Sequence, residues 1–124
     1  MHYLNTQMFR AISTSFLHGG DFTRHDGSGG DSIYNGKFND EKPGLKFKHN
    51  EAGLLSMANS GRNSNTSQFF VTLGACPKLD GKYVIFGKCV EGLEVLEEVV
   101  KRADINDEKE CPRNTITITA CGEC

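Results

Sequence analysis

Leu54-Leu55-Ser56-Met57-Ala58-Asn59-Ser60-Gly61, continued after Arg62-Asn63-Ser64 by Asn65-Thr66-Ser67-Gln68-Phe69-Phe70-Val71-Thr72, is the stretch on which the fold turns. Two short apolar runs, Leu54 to Asn59 and Gln68 to Leu73, flank a cluster of Asn, Ser and Gly, which is the pattern of two strands joined by a turn-rich loop. Downstream, Val84 to Val90 reads as another strand. Upstream, Met8 to Ile12 and Phe16 to Phe22 are strand-like, the second broken by Gly19-Gly20. Between them and the central pair, Arg24 to Gly53 is rich in Gly, Asp, Asn and Lys and has few apolar anchors (Ile33, Tyr34, Phe38, Leu45, Phe47). Such a long surface excursion in a compact domain usually frames a site. Gly92 to Ala103 is the one convincing helix: Leu93, Leu96, Val99 and Val100 share a face, with acids toward its start and Lys101 and Arg102 at its end. Thr115 to Ala120 alternates Thr with Ile or Ala, as a half-buried strand does. The sum is about six short strands and one helix, a mainly-β domain built as a barrel or sandwich.

The composition agrees. A chain of 124 residues with 37% hydrophobic and 24% charged residues suits one globular domain rather than a disordered chain. Its longest apolar runs, such as Tyr83 to Phe86, are far short of the ~20 residues that a membrane-spanning helix needs. A formal net charge of −2 argues against nucleic acid as a partner. Five cysteines (Cys76, Cys89, Cys111, Cys121, Cys124) cannot all pair within one chain, and no secretory signal is evident, so the expected setting is the cytoplasm or another reducing compartment. Met1 to Gly20 contain Arg10, several Ser and Thr, and no acid, which loosely fits a mitochondrial transit segment but also reads as ordered strand.

The usual catalytic signatures are missing. Gly27-Ser28-Gly29-Gly30-Asp31-Ser32 lacks the Gly-Lys-Ser/Thr ending of a phosphate-binding loop. No serine lies in Gly-x-Ser-x-Gly. Cys121 and Cys124 form a C-x-x-C without a following helix, and no histidine is spaced to join them on a metal.

Five segments in order carry a resemblance instead: Phe9-Arg10-Ala11-Ile12, then His18-Gly19-Gly20-Asp21-Phe22-Thr23, the two central segments quoted above, and Leu79-Asp80-Gly81-Lys82-Tyr83-Val84-Ile85-Phe86-Gly87-Lys88. Together they closely resemble the cyclophilin family of peptidyl-prolyl isomerases, and Ile116 to Gly122 looks like that family's last strand. The likeness runs from Tyr3 to Gly122. It implies a cyclophilin-type antiparallel β-barrel formed as a single domain over residues 1–124. Two long strands and a helix that open the family's domain have no counterpart here, so the expected barrel is N-terminally incomplete. A partner chain completing it is one expected consequence.

The resemblance also implies a chemistry. The X–Pro bond isomerises slowly because amide resonance must be broken. In the twisted transition state the proline nitrogen becomes pyramidal and gains a lone pair. A guanidinium donating to that nitrogen favours the twisted form over either planar state. By resemblance that donor is Arg10, and no nucleophile, metal or cofactor is required. Phe70, Leu79 and Met57 match positions near the proline pocket. Gln68 matches the residue that positions the peptide and the arginine. Ala58 and Asn59 would offer backbone to an extended proline-containing peptide or protein.

Departures from the family pattern qualify these expectations. Without gaps the family's pocket Phe falls on Ser15, and Phe16 sits one place later, where a strand would reverse its face. His18 stands for the usual Gln, so a group expected to titrate near neutral pH could contact a substrate carbonyl or Arg10. Lys78 stands for a common Trp, which predicts weak binding of cyclosporin-type ligands. Tyr83 stands for a His and keeps an aromatic face with a polar tip. Two functions follow from this balance: an active peptidyl-prolyl isomerase, or a catalytically weak binding or scaffold subunit within a larger assembly.

Overall fold

The computed structural model describes residues 2–123, so Met1 and the Cys124 member of the C-x-x-C lie outside it. Its centre is an antiparallel sheet of five strands: β1 (Arg10–Ile12), β2 (Phe16–Gly19), β3 (Leu54–Met57), β4 (Phe69–Thr72) and β5 (Ile85–Lys88). Their spatial order is β1-β2-β4-β3-β5, so β1 and β5 are the edge strands and the sheet does not close on itself. The main helix is α2 (Leu93–Ala103), and a two-stranded ribbon of β6 (Ile105–Asn106) and β7 (Cys111–Pro112) follows it. The excursion between β2 and β3 holds a single short helix, α1 (Lys42–Leu45).

Side-chain alternation sorts the sheet into two faces. Ala11 and Leu17 are opposite one another in the ladder and point toward α2. There they join Met8, Val100, Ala103 and Ile105 in a buried cluster, against which Leu96, Ile116 and Ile118 also pack. Of the apolar stripe read along the helix, Leu96 and Val100 dock there, joined by Ala103. Burying a side chain such as Leu17 contributes roughly 1.5–3 kcal/mol. The other face carries Arg10 and Ile12 from β1, Phe16 and His18 from β2, and Phe70 from β4, because Arg10 lies opposite His18, Ile12 opposite Phe16, and His18 opposite Phe70 in the ladders. Phe16, Ala58 and Phe70 form a second buried cluster there, with Ile12, Leu79 and Tyr83 packed against it.

Several expectations need correction. Thr115 to Ala120 does not form a strand ladder. One bridge joins Thr117 to Gln7, supported by backbone bonds from Met8 to Ile116 and from Ile118 to Thr6. The alternation survives, since Ile116 and Ile118 turn inward while the threonines are exposed. Among the described residues the count is seven strands against about six expected, because the charged loop after α2 adds two as the β6–β7 ribbon while the last segment drops out. That ribbon also clasps β1, with the Ala11 amide donating to the Glu110 carbonyl.

Candidate functional site

Arg10 projects from the outer edge strand of the sheet onto the second face. Glu110, at the base of the ribbon, accepts from its Nε at 3.3 Å and its Nη2 at 2.9 Å through one oxygen, Oε1. Glu110 is in the left-handed backbone region (φ 54°), which turns its side chain back toward β1. The guanidinium carbon lies 5.3 Å from the centre of the Phe16 ring. That is within reach of a cation–π contact. Nη1 has no hydrogen bond among the described residues.

The aromatic floor lies beside it. Phe16 meets Phe70 at 5.3 Å between ring centres, and Tyr83 meets Phe70 edge-on at 5.5 Å. Leu79 ends a 3₁₀ turn (Pro77–Leu79) that brings it against the same cluster. Phe16 therefore faces the site, despite standing one place along from the family's phenylalanine. The 13–15 turn absorbs the offset: Ser15 bonds back to Ile12, and Phe16 resumes in register opposite Ile12.

Below Phe70 lies a group that sequence reasoning passed over. His49 is fully buried and stacks on Phe70 at 5.8 Å. Its Nδ1 is 3.0 Å from Asp80 Oδ1 and its Nε2 is 3.0 Å from Ser56 Oγ. Asp80 also accepts the His49 backbone N–H at 2.7 Å, and that bond holds the carboxyl below its ordinary range. His49 sits in a run of charged and glycine residues that gives no sign of burial, so only the tertiary contacts identify it.

The glycine-rich loop after β2 braces the site from the other side. Asp21 is fully buried, and its carboxylate accepts the backbone N–H groups of Thr23, Arg24, Asp26, Gly27 and Gly29 and the Thr23 hydroxyl. Burial alone would raise its pKa, but the backbone donors outweigh that and hold the carboxyl well below the usual carboxylate range. The loop so fixed presents the Gly27 and Gly29 carbonyls, and both accept from Gln68 Nε2, at 2.9 and 2.7 Å. Gln68 Oε1 is then left to accept from His18 Nε2 at 2.9 Å, which places the proton of the neutral ring on Nε2. Gln68 thus holds the loop against β2 with both polar atoms of its side chain engaged.

His18 corrects a further expectation. It is buried, and desolvation lowers its pKa to about 4, with Arg10 acting in the same direction and the Gln68 bond and Asp21 against it. The ring therefore stays neutral through the physiological range instead of titrating there. Its hydrogen-bond partner is Gln68, and its face packs on Phe9 at 4.6 Å.

One other expected residue separates from the group. Met57 pairs with Phe69 in the ladder, one place out of step with Ser56 and Phe70. It points to the opposite face, where it lines a cavity of about 390 Å³ with Tyr3, Phe22 and Phe38. Of the two residues expected to offer backbone, the Ala58 N–H already donates to the Gln68 carbonyl, and its side chain is buried beside Phe70. Asn59 keeps its backbone N–H and C=O out of every internal bond among the described residues, while its side-chain amide donates to the Lys82 carbonyl.

An antiparallel sheet that carries a guanidinium at the rim of a Phe–Phe–Leu–Tyr cluster is the setting in which the resemblance can be tested against whole families. The family model for cyclophilin-type peptidyl-prolyl cis-trans isomerases matches residues 1–123, and the chain belongs to that family. A Caenorhabditis elegans protein named peptidyl-prolyl cis-trans isomerase 9 is 44% identical over 123 residues, which cover 99% of this chain and 38% of the worm protein. The chain thus spans well under half the length of that relative.

Proposed function

We propose that this chain catalyses cis–trans isomerisation of X–Pro bonds in protein substrates. The observation that carries the reading is the juxtaposition of Arg10 with the aromatic cluster: its guanidinium lies over Phe16, which in turn packs on Phe70. A proline ring seated on Phe16, Phe70, Leu79 and Tyr83 would be held by apolar contact alone, which leaves its amide free to rotate. The unpaired backbone of Asn59 fixes one flank of the peptide by strand-like pairing. As the bond twists, Arg10 donates to the pyramidal proline nitrogen, a contact that the planar amide cannot return because its lone pair is delocalised. Substrate and product are thereby held less strongly than the state between them. Gln68 and His18 act as positioning residues, and Lys78, exposed where an indole donor is common, leaves cyclosporin-type ligands weakly held. Cys76, Cys89, Cys111 and Cys121, unpaired among the described residues, suit a reducing compartment.

A proline-isomerisation assay on a proline-containing tetrapeptide, with Arg10→Ala as control, tests the reading. Loss of about 100-fold or more in kcat/KM is the expected outcome, by analogy with removing one transition-state donor. Activity that Arg10→Ala leaves intact removes the role given to that residue.

A second reading, a binding or scaffold subunit, draws on the β5 edge. Phe86 is 55% exposed there, and Val90, just beyond it, is 93% exposed. Unpaired edges and exposed apolar side chains favour coverage by another strand, whether from a partner chain or from further sequence. A well-folded sample with no isomerase activity, yet able to bind proline peptides, favours this second reading.

A further inference from the structure

Beyond the aromatic floor, a second cleft of about 450 Å³ opens between the 59–62 loop and the 81–83 loop. Tyr83 belongs to both: it packs on Phe70 and lines the cleft. The two walls are joined by the bond from Asn59 Nδ2 to the Lys82 carbonyl at 3.2 Å. The 59–62 loop is itself held, with the Gly61 N–H on Asn59 Oδ1 and the Ser60 N–H on Ser64 Oγ.

Three charged residues line this cleft: Asp40, Arg62 and Lys82. The acid is occupied. Asp40 Oδ1 accepts from Asn65 Nδ2 at 2.8 Å and Oδ2 from the Asn63 N–H at 3.1 Å, so the carboxylate serves to hold the loop. The two cations are exposed and take no part in any ion pair among the described residues. The cleft therefore carries two unpaired cations against one hydrogen-bonded carboxylate, a net positive rim next to Asn59, whose free backbone is where an extended peptide would pair. We infer that this cleft is a specificity subsite that favours substrates with an Asp or Glu close to the proline, recognised by Arg62 and Lys82. The inference rests on the peptide-binding reading above and adds the class of substrate.

Exposed charge pairs at contact distance are worth little singly in water, and two of them together correspond to a several-fold preference that salt weakens. The test is a set of otherwise identical proline peptides carrying Glu, Ala or Lys at each position within about three residues of the proline. At one or more of these positions kcat/KM is expected to be about three- to tenfold higher for Glu than for Lys at low ionic strength. Raising the salt well above physiological strength brings that ratio toward one. The Arg62→Glu/Lys82→Glu double variant, with both changes at exposed positions, is expected to invert it. Equal rates for the Glu and Lys peptides, or a preference that the double variant leaves untouched, overturns the inference. If no peptide is isomerised at all, the isomerase reading fails. The same Glu and Lys peptides are then compared by their Kd from NMR shift titration, and that comparison decides the subsite by the same criteria.

Discussion

Glu110 Oε1 holds Arg10 by two hydrogen bonds, at 3.3 Å to Nε and 2.9 Å to Nη2, across exactly one hundred residues of chain. The pair engages two of the three guanidinium nitrogens beside Phe16 and leaves Nη1 without a hydrogen bond among the described residues. Both side chains are more than a third exposed, so the pair adds little to stability, ~0–1 kcal/mol. Its effect is on direction. In Glu110→Gln the thermal midpoint is expected to stay close to that of the parent while kcat falls about three- to tenfold, because a misdirected donor reaches the twisted nitrogen less often. Unchanged kcat in steady-state assays would show that Arg10 orients itself without help.

Phe70 packs in the core and, in the proposed reading, also floors the substrate pocket, and two substitutions separate the roles. It is 4% exposed and touches Phe16, Tyr83 and His49. Phe70→Ala is expected to cost about 3–5 kcal/mol in denaturant unfolding. Phe70→Leu, which keeps most of the volume, is expected to fold with a much smaller loss but to raise KM for proline peptides by several-fold. Equal KM for the Leu variant would remove Phe70 from the substrate floor.

His18 makes stability depend on pH in a definite sense. Its pKa is about 4 in the folded chain against an ordinary 6.5. Between those values the unfolded chain takes up a proton that the folded chain refuses. Stability is therefore full above pH ~6.5 and declines as pH falls toward ~4, by up to about 3 kcal/mol from this group. The difference between the parent and His18→Gln, followed by urea unfolding at a series of pH values, isolates this contribution. An NMR titration that places the His18 midpoint near 6.5 would contradict it.

Asp21 is the keystone of the loop that positions Gln68. Asp21→Ala strands five backbone N–H groups and is expected to cost about 2–4 kcal/mol. Because the carboxyl is held well below its ordinary range, its stabilisation is present above pH ~3.8 and is lost on further acidification. Amide exchange should report the change first at Gly27 and Gly29, whose carbonyls receive Gln68. Protection there that matches the parent would mean that the loop stands without its acid.

The fold was largely readable along the chain, and for a local reason. Alternation marks strands wherever one face is buried, so β1 to β5 and α2 all fall within the expected segments. Where burial is slight the signal fails. The last segment keeps its Thr/Ile alternation, yet it contributes one bridge instead of a ladder. The β6–β7 ribbon is two residues per strand and too short to leave any period.

The site divides in the same way. Arg10, Gln68, Phe70, Leu79 and Tyr83 could be named as candidates from the family resemblance, because each lies on a segment whose order along the chain carries that resemblance. Glu110 and His49 could not, since both come from charged loops and acquire their roles only through long-range contacts. Met57 was misplaced, and the ladder shows why: a strand's period of two puts it on the opposite face from Phe70, whatever its distance along the chain. Phe16 is the converse, a residue that a gap-free reading turns away and that the 13–15 turn brings back. The sequence by itself determined which segments become strands and which side chains could carry the chemistry, because those are properties of neighbours along the chain. Only the tertiary structure decided which face each side chain joins, that His18 is buried and neutral, and that Glu110 bonds Arg10. Register, desolvation and pairing arise between residues brought together by folding.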